Sequence, residues 1–239
     1  ARWIGHRGAG TLAPENTLAA FQLGARHGYR MFECDVKLSA DEIPFLLHDA
    51  TLERTANAIG TAGDLNWQEL SQLDAGSWHS PTFAGEPLCT LQNLARWLLG
   101  RNLEMNIEIK PTPGTESRTG EVLARTAAQL WADAAAWPLL TSFQPLALEA
   151  AGRIAPHLPR GLLLKEWRDD VFDWLAAHRL QALVCHHSLW TPERLQEARA
   201  RRLWRLSYTV NEEAIAQTLW QWGHDAIITD RVDVFDPRR

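Results

Sequence analysis

The sequence predicts a (β/α)8 barrel of the TIM type with a small insertion after its second strand. Short apolar runs rich in β-branched residues alternate with amphipathic helical stretches, and eight such runs can be counted. The 239 residues match the usual length of this barrel, about 250. An open doubly wound sheet is the alternative, but no GxGxxG fingerprint supports it. We therefore predict one domain over residues 1–239, with an insertion at about residues 36–90.

The predicted elements follow from the periodicity of apolar residues along the chain. The eight predicted strands are residues 2–6, 31–36, 105–110, 139–143, 161–165, 182–187, 205–210 and 226–230. Predicted helices between them include residues of about 14–27, 119–132, 191–202 and 211–223. The last two open with residues that commonly cap helices, Thr191 and Asn211.

One segment departs from the alternation of strands and helices. Residues 40–42 alone separate the second apolar run from "IPFLLHD". A parallel crossover needs about a dozen residues or more, so these two runs are predicted to form an antiparallel hairpin. A turn centred between Ala40 and Asp41 would place Glu33 opposite His48. The polar stretch that follows, to about residue 90, is predicted to lie over the mouth of the barrel.

Acidic residues share one face of two predicted strands. The period of two along a strand puts Glu33 with Asp35, and Glu108 with Lys110. These faces should point into the barrel near the carboxyl ends of the strands, where barrel enzymes have their sites. Three converging carboxylates repel each other unless they are protonated or bind a cation, and oxygen ligands favour Mg²⁺ or Ca²⁺ over zinc. The alternative is that they are rim carboxylates paired with neighbouring cations, Lys37, Lys110 or Arg54.

Two histidines end apolar strands, His6 in "HRG" and His48 in "HD". Because the unperturbed pKa of imidazole is close to neutral pH, this pair could serve as general acid and general base. Arg7 and Lys110 would add cations suited to a phosphoryl group. The sequence has no Walker A loop, G-x-S-x-G elbow or H-E-x-x-H motif. Acidic pairs alone could indicate a glycosidase, but the two cations favour an anionic substrate.

Composition excludes several classes of protein. The net charge of −5, with both signs interspersed, argues against a nucleic-acid surface. We find no apolar run of about 18 residues and no signal-peptide core, and we expect no stable membrane association. The three cysteines lack CxxC spacing, which favours a reducing, cytoplasmic location. Since residue 1 is not Met, a removed signal is the alternative. No surface pattern predicts an oligomeric state.

Several motifs together resemble the glycerophosphodiester phosphodiesterases. In chain order they are "HRG", "APENTLAAF", "ECDVKLSADEIPFLLHD", "AGSW", "IEIKP", "SF", "YTVN" and "IITD". The similarity runs from residue 2 to about residue 236. It implies a (β/α)8 barrel with a small insertion after the second strand, and a divalent metal bound by Glu33, Asp35 and Glu108.

The resemblance also implies roles for other residues. His6 and His48 would be the acid and base, while Arg7 and Lys110 would contact phosphate. Where the family more often has Trp, this chain has Tyr208, which we expect to line a glycerol pocket. Residues interpreted as helix caps or loop hydrogen-bond partners, and not assigned to the site, are Glu15, Asn16, Asn211 and Asp230.

The implied reaction is metal-dependent hydrolysis of a glycerophosphodiester to an alcohol and sn-glycerol 3-phosphate. The resemblance implies attack by the 2-hydroxyl of the substrate through a cyclic phosphate; direct attack by water is the alternative. A lysophospholipase D-like phosphodiesterase is the nearest alternative function. A barrel that binds metal and phosphoglycerol without catalysis is another, but it would be expected to lack one of the acids or histidines.

Overall fold

The computed structural model describes residues 2–238 and contains a closed barrel of eight parallel strands. The barrel closes through the first two strands, where Gly5 pairs with Phe32. A ninth strand, β3, pairs antiparallel with β2 outside the barrel. The predicted fold class is confirmed. The strands are β1 (Arg2–Gly5), β2 (Met31–Leu38), β3 (Pro44–Leu46), β4 (Glu104–Ile109), β5 (Leu139–Ser142), β6 (Arg160–Leu164), β7 (Ala182–His186), β8 (Trp204–Tyr208) and β9 (Ala226–Thr229).

Helices follow the barrel strands in sequence. As predicted, Thr191 caps the seventh helix, because its hydroxyl accepts from the backbone N–H of Arg194. The prediction for Asn211 is wrong, since Glu212 is the capping residue of the eighth helix and the Asn211 side chain bonds elsewhere. The helices are α1 (Leu18–Arg26), α2 (Trp67–Leu70), α3 (Leu91–Leu99), α4 (Glu116–Leu130), α5 (Pro145–Ile154), α6 (Val171–Ala177), α7 (Pro192–Ala200) and α8 (Glu213–Gln221).

The alternation of side chains along β2 separates the core from the site. Phe32, Cys34 and Val36 are buried in the apolar layer that includes Phe21 of α1. The intervening residues of the strand face the barrel interior. Burial of each apolar side chain stabilises the fold by roughly 1.5–3 kcal/mol. A one-residue slip of β2 would expose several of these side chains and lose that stabilisation for each of them. The orientation of the acidic residues is therefore fixed by the packing of their neighbours.

The β2–β3 hairpin is antiparallel, as predicted, but its register differs by one residue. Lys37 lies opposite Phe45, so the predicted pairing of Glu33 with His48 is wrong. The reason is the turn: Glu42 adopts a φ of +63°, and five residues, rather than an even number, connect the two strands. His48 lies beyond the end of β3, where strand pairing no longer determines its position.

The chain between β3 and α3 forms a small layer with its own apolar cluster, whose largest members include Phe45, Leu52 and Leu70. Its regular structure consists of α2 and two short 3-10 helices, Ala62–Asp64 and Pro81–Phe83. The assignment of residues 1–239 to a single domain stays a prediction, and its first and last residues lie outside the described residues. Among residues 2–238, we find no helix with the length and apolarity needed to cross a membrane.

A buried histidine follows α8. His224 is 4% exposed; its Nδ1 donates to the carbonyl of Leu219 at 3.0 Å, and its Nε2 accepts from the hydroxyl of Ser207 at 2.9 Å. A carbonyl can only accept, so these contacts fit the neutral imidazole. Burial accordingly lowers the pKa of His224 to about 4.

His224 should make the protein less stable in acid. Its pKa falls from 6.5 in the unfolded chain to about 4 in the fold, so the unfolded chain binds more protons between these values. As the pH decreases through this window, the free energy of unfolding should therefore decrease, by up to about 3 kcal/mol. We expect His224→Gln to remove that part of the pH dependence in urea unfolding, whereas exposed His157→Gln should keep it. Equal slopes for His224→Gln and wild type would contradict the assignment.

Candidate active site

Three carboxylates meet inside the barrel at the carboxyl ends of β2 and β4. The register of these strands places Asp35 beside Glu108, and Glu33 beside Asn106. One oxygen from each acid lies within 4.8 Å of the others, and all three residues are buried. One oxygen of Glu33 (Oε1) and one of Asp35 (Oδ1) have no hydrogen-bond partner among the described residues. This donor set, all oxygen with unpaired buried atoms, fits a hard divalent cation.

The pKa values of the three carboxyls are driven apart by burial and mutual repulsion. Burial, together with Asp35, raises the pKa of Glu108 to about 7, and the same causes raise the pKa of Glu33 well above its usual range. Burial would also raise the pKa of Asp35, but Arg7, Lys110 and the hydrogen bond from Asn16 act together against it, and the pKa lies below its usual range. The cluster thus retains protons near neutral pH, and a divalent cation would take their place.

Arg7 lies in the β1–α1 loop with a φ of +49°. Its backbone N–H donates to Oε2 of Glu33 at 3.1 Å, and its Nη1 donates to Oε1 of Glu15 at 3.0 Å. Its Nε lies 3.1 Å from Oδ2 of Asp35. The loop also requires Gly10, where φ is +59° and a Cβ atom would lie 2.1 Å from the carbonyl oxygen of Asp230. This close approach holds the loop against the end of β9.

The ring of His6 is fixed by Asp230. Nδ1 donates to Oδ1 of Asp230 at 2.6 Å, because a carboxylate can only accept. Asp230 is itself held by Asn211, which donates to Oδ2 at 2.9 Å and accepts from the Asp230 backbone N–H at 2.9 Å. The other nitrogen of His6, Nε2, lies 3.8 Å from Oε2 of Glu33. His6 therefore presents Nε2 toward the carboxylate cluster.

His48 is held in the same way from the opposite side. Its Nδ1 donates to Oδ1 of Asp49 at 2.8 Å, and its Nε2 accepts from Nζ of Lys110 at 3.0 Å. Lys110 also donates to Oε1 of Glu108 at 3.2 Å. Burial lowers the pKa of His48, so this imidazole is neutral at pH 7. Both predicted histidines thus present Nε2 and bind an aspartate through Nδ1.

The carboxylates are not the rim residues of the alternative interpretation. Lys37 is 1% exposed and its ammonium lies 3.4 Å from two carbonyl oxygens, those of His48 and Lys110. Burial lowers the pKa of Lys37 to about 8. Arg54 pairs outside the cluster, with Glu15 and Asp49. Of the three cations proposed for that role, only Lys110 pairs with one of the cluster carboxylates.

A cavity of about 200 Å³ connects the predicted residues. Tyr208 lines it, as expected, but its hydroxyl donates to the carbonyl of Leu164 at 2.8 Å, so the ring rather than the hydroxyl proton is available to a ligand. Phe143, which the sequence analysis does not single out, packs edge-on against Tyr208 at 5.8 Å. Residues of the predicted site that line the cavity are His6, Arg7, Glu33, His48, Glu108, Lys110 and Tyr208.

Several residues that support the site were not assigned to it from the sequence. Asn16 donates to Oδ2 of Asp35 at 2.9 Å and accepts from its backbone N–H at 3.1 Å. Asp230 and Asp49 hold the two histidines. Local signals were available: Asn16 lies in "PENT" close to "HRG", and Asp49 follows His48. Nothing local links Asp230 to His6, which lies at the other end of the chain.

Comparison with known proteins shows the family to which this chain belongs. The profile of the glycerophosphoryl diester phosphodiesterase family matches residues 6–234. The chain belongs to this family. It is 31% identical over 233 residues to a glycerophosphodiester phosphodiesterase of Caldanaerobacter subterraneus, a match that covers 95% of this chain and 93% of that protein.

Solved structures related to this phosphodiesterase family agree in fold. A phosphodiesterase of Oleispira antarctica, solved in complex with the product sn-glycerol-3-phosphate, has a TM-score of 0.90 and 30% identity, covering 96% of this chain and 93% of that one. A glycerophosphodiester phosphodiesterase of Agrobacterium tumefaciens has a TM-score of 0.83 and 27% identity, covering 99% of each chain. The expected family and enzyme class are therefore confirmed.

The carboxylate cluster predicts a stability cost in the metal-free protein. Because the pKa of Glu108 is about 7 in the fold against 4.5 unfolded, the fold keeps a proton that the unfolded chain loses, and stability falls as the pH rises through this window. With EDTA at about pH 8, Glu108→Gln should therefore be more stable than wild type, on the order of 1–3 kcal/mol in urea unfolding.

The same pair of proteins should respond in opposite ways to cations. Excess Mg²⁺ or Ca²⁺ should raise the melting temperature of the wild type but not that of Glu108→Gln. Glu104→Gln is the matched control, because Glu104 lies on the same strand but outside the cluster. A wild type that neither cation stabilises, or a Glu108→Gln variant stabilised as strongly as Glu104→Gln, would refute the metal site.

Proposed function

We propose that this protein catalyses the metal-dependent hydrolysis of glycerophosphodiesters to an alcohol and sn-glycerol 3-phosphate. The observation that carries the proposal is the meeting of a carboxylate triad, two aspartate-bound imidazoles and two cations around one small cavity. The related phosphodiesterase in complex with sn-glycerol-3-phosphate supports the substrate class.

The residues that would hold the metal are Glu33, Asp35 and Glu108. Their unpaired buried oxygens and all-oxygen composition support Mg²⁺ or Ca²⁺ as the cofactor. Bound there, such a cation would polarise the phosphoryl group and lower the pKa of a substrate hydroxyl. Asn16 would keep Asp35 in place, since it bonds both the carboxylate and the backbone of that residue.

Protons would move through Nε2 of the two histidines. His48, which is neutral, would accept the proton of the attacking hydroxyl at Nε2 once Lys110, which donates to that nitrogen at 3.0 Å, turns to the phosphoryl oxygens. His6, carrying protons on both nitrogens and with Nδ1–H bound to Asp230, would then protonate the leaving alcohol from Nε2–H. We propose the 2-hydroxyl of the substrate as the nucleophile, followed by opening of the cyclic phosphate by water.

Arg7 and Lys110 would bind the phosphoryl oxygens, because both line the cavity. Loss of one such contact typically raises the barrier by about 3 kcal/mol. The rings of Tyr208 and Phe143, which also line the cavity, would contact the glycerol carbons. A lysophospholipase D-like activity has less support, because about 200 Å³ is below the roughly 300–1,000 Å³ of sites for larger ligands.

Two further expectations complete the proposal. The partner is a small glycerophosphodiester rather than a nucleic acid. The three cysteines are free and buried, which supports a reducing, cytoplasmic location.

The test is release of sn-glycerol 3-phosphate from glycerophosphocholine and glycerophosphoethanolamine, with lysophosphatidylcholine as the competing substrate. Wild type should release it with Mg²⁺ or Ca²⁺, and EDTA should stop the reaction. His6→Ala and His48→Ala should each reduce kcat by about 10²- to 10⁴-fold, because each removes one proton carrier. His157→Ala, which changes an exposed histidine, is the control and should leave kcat unchanged.

Three outcomes would count against the proposal. No release from either glycerophosphodiester with metal supplied would refute the activity. Full activity after thorough chelation would refute the metal requirement. Faster hydrolysis of the lysolipid than of both water-soluble diesters would favour the alternative function.

A further inference from the structure

Arg54 joins two carboxylates that come from different parts of the chain. Its Nη1 and Nη2 donate to the two oxygens of Glu15, at 2.9 and 2.8 Å. Its Nε and Nη2 donate to the two oxygens of Asp49, at 2.8 and 3.0 Å. Both contacts use the planar fork of the guanidinium, which a lysine ammonium cannot reproduce. Arg54 thus connects the loop before α1 with the segment after β3.

Each of these carboxylates also binds a residue of the proposed site. Oε1 of Glu15 accepts from Nη1 of Arg7, and Oδ1 of Asp49 accepts from Nδ1 of His48. Arg54 itself is not among the residues that line the cavity. It is also the cation that most strongly keeps Asp49 ionised, through their side-chain hydrogen bond. Its contacts therefore reach the site only through Glu15 and Asp49.

We infer that Arg54 is a positioning residue, which holds the His48 imidazole through Asp49 and the Arg7 guanidinium through Glu15. The inference rests on the proposed function. Without Arg54, Asp49 loses the partner that orients its carboxylate toward His48, and Glu15 keeps only Arg7. Both side chains would then sample positions away from the phosphoryl group, and misplacement of about 1 Å can cost 100-fold in rate.

The chain contains a matched control for this arginine. Arg118 binds both oxygens of Glu42, through Nε at 2.6 Å and Nη2 at 2.7 Å. Its side chain is 50% exposed and that of Arg54 is 44% exposed. Arg118 joins α4 to the β2–β3 turn and contacts no residue of the site. Like Arg54, it bonds a second carboxylate, here Glu121, so its removal costs ion pairs of similar exposure without touching Asp49 or Glu15.

The experiment compares Arg54→Ala, Arg54→Lys and Arg118→Ala in the glycerophosphocholine assay. We expect Arg54→Ala to lower kcat roughly 10- to 100-fold, Arg54→Lys to recover part of the loss, and Arg118→Ala to match wild type. The double variant Arg54→Ala/Asp49→Asn should lose about 10-fold less kcat than the product of the two single losses predicts, because Arg54 acts through Asp49. Losses that multiply independently, or equal losses in Arg54→Ala and Arg118→Ala, would overturn the inference.

A second readout does not depend on activity. The hydrogen-bonded Nδ1–H proton of His48 should give a downfield NMR signal that disappears in His48→Ala. We expect this signal to be lost or exchange-broadened in Arg54→Ala and retained in Arg118→Ala. A signal unchanged in Arg54→Ala would overturn the inference whether or not the wild type is active. Absence of hydrolysis by the wild type would refute only the proposed function. Should Arg54→Ala fail to fold, the same comparison is made with Arg54→Lys.

Discussion

The repulsion among Glu33, Asp35 and Glu108 is the constraint on which the rest of the site depends. Three ionised carboxylates with oxygens within 4.8 Å of each other cannot be buried without compensation. Bound protons or a bound metal ion can compensate this negative charge. The structure adds a third source of compensation, the cationic side chains that border the cluster. Arg7 approaches Asp35, and Lys110 binds Glu108. Both cations lie at the carboxyl ends of strands, Arg7 in the loop after β1 and Lys110 directly after β4.

Those cations belong to a chain of ion pairs and hydrogen bonds that begins and ends at an acid of the cluster. From Asp35 the chain of contacts passes to Arg7, then to Glu15, Arg54 and Asp49, with each step an ion pair. It continues through His48 and Lys110 and returns to the cluster at Glu108, which lies beside Asp35. Within this chain of contacts each member binds its neighbours by an ion pair or a hydrogen bond, whereas Asp35 and Glu108, at its two ends, repel each other. Ordering one member therefore orders the next, so His48 is held together with Arg7 and Lys110, while His6 is held separately by Asp230.

The parts of the site that could be predicted from the sequence are those set by local periodicity. The period of two along β2 and β4 places the carboxylates on one face of each strand, and this placement does not depend on the conformation of the loops. Asp230 could not be found in this way, because it is 224 residues from His6 and meets it only when β9 closes the barrel beside β1. The hairpin register also could not be read from the sequence, because it depends on the left-handed conformation of Glu42.

Although the hairpin register differs from the predicted one, His48 still reaches the site, and the reason is physical. β3 contributes three residues, and backbone pairing with β2 ends at Leu47, whose N–H donates to the carbonyl of Asp35 at 3.1 Å. Beyond that point side-chain contacts hold the His48 imidazole: Asp49 binds one ring nitrogen and Lys110 binds the other. Ion pairs through long side chains tolerate a shift of the backbone that a β-ladder does not, because rotamers can absorb it. The position of the His48 imidazole is thus set by side-chain contacts as well as by the backbone, and Arg54 takes part in them because it binds Asp49 without lining the cavity.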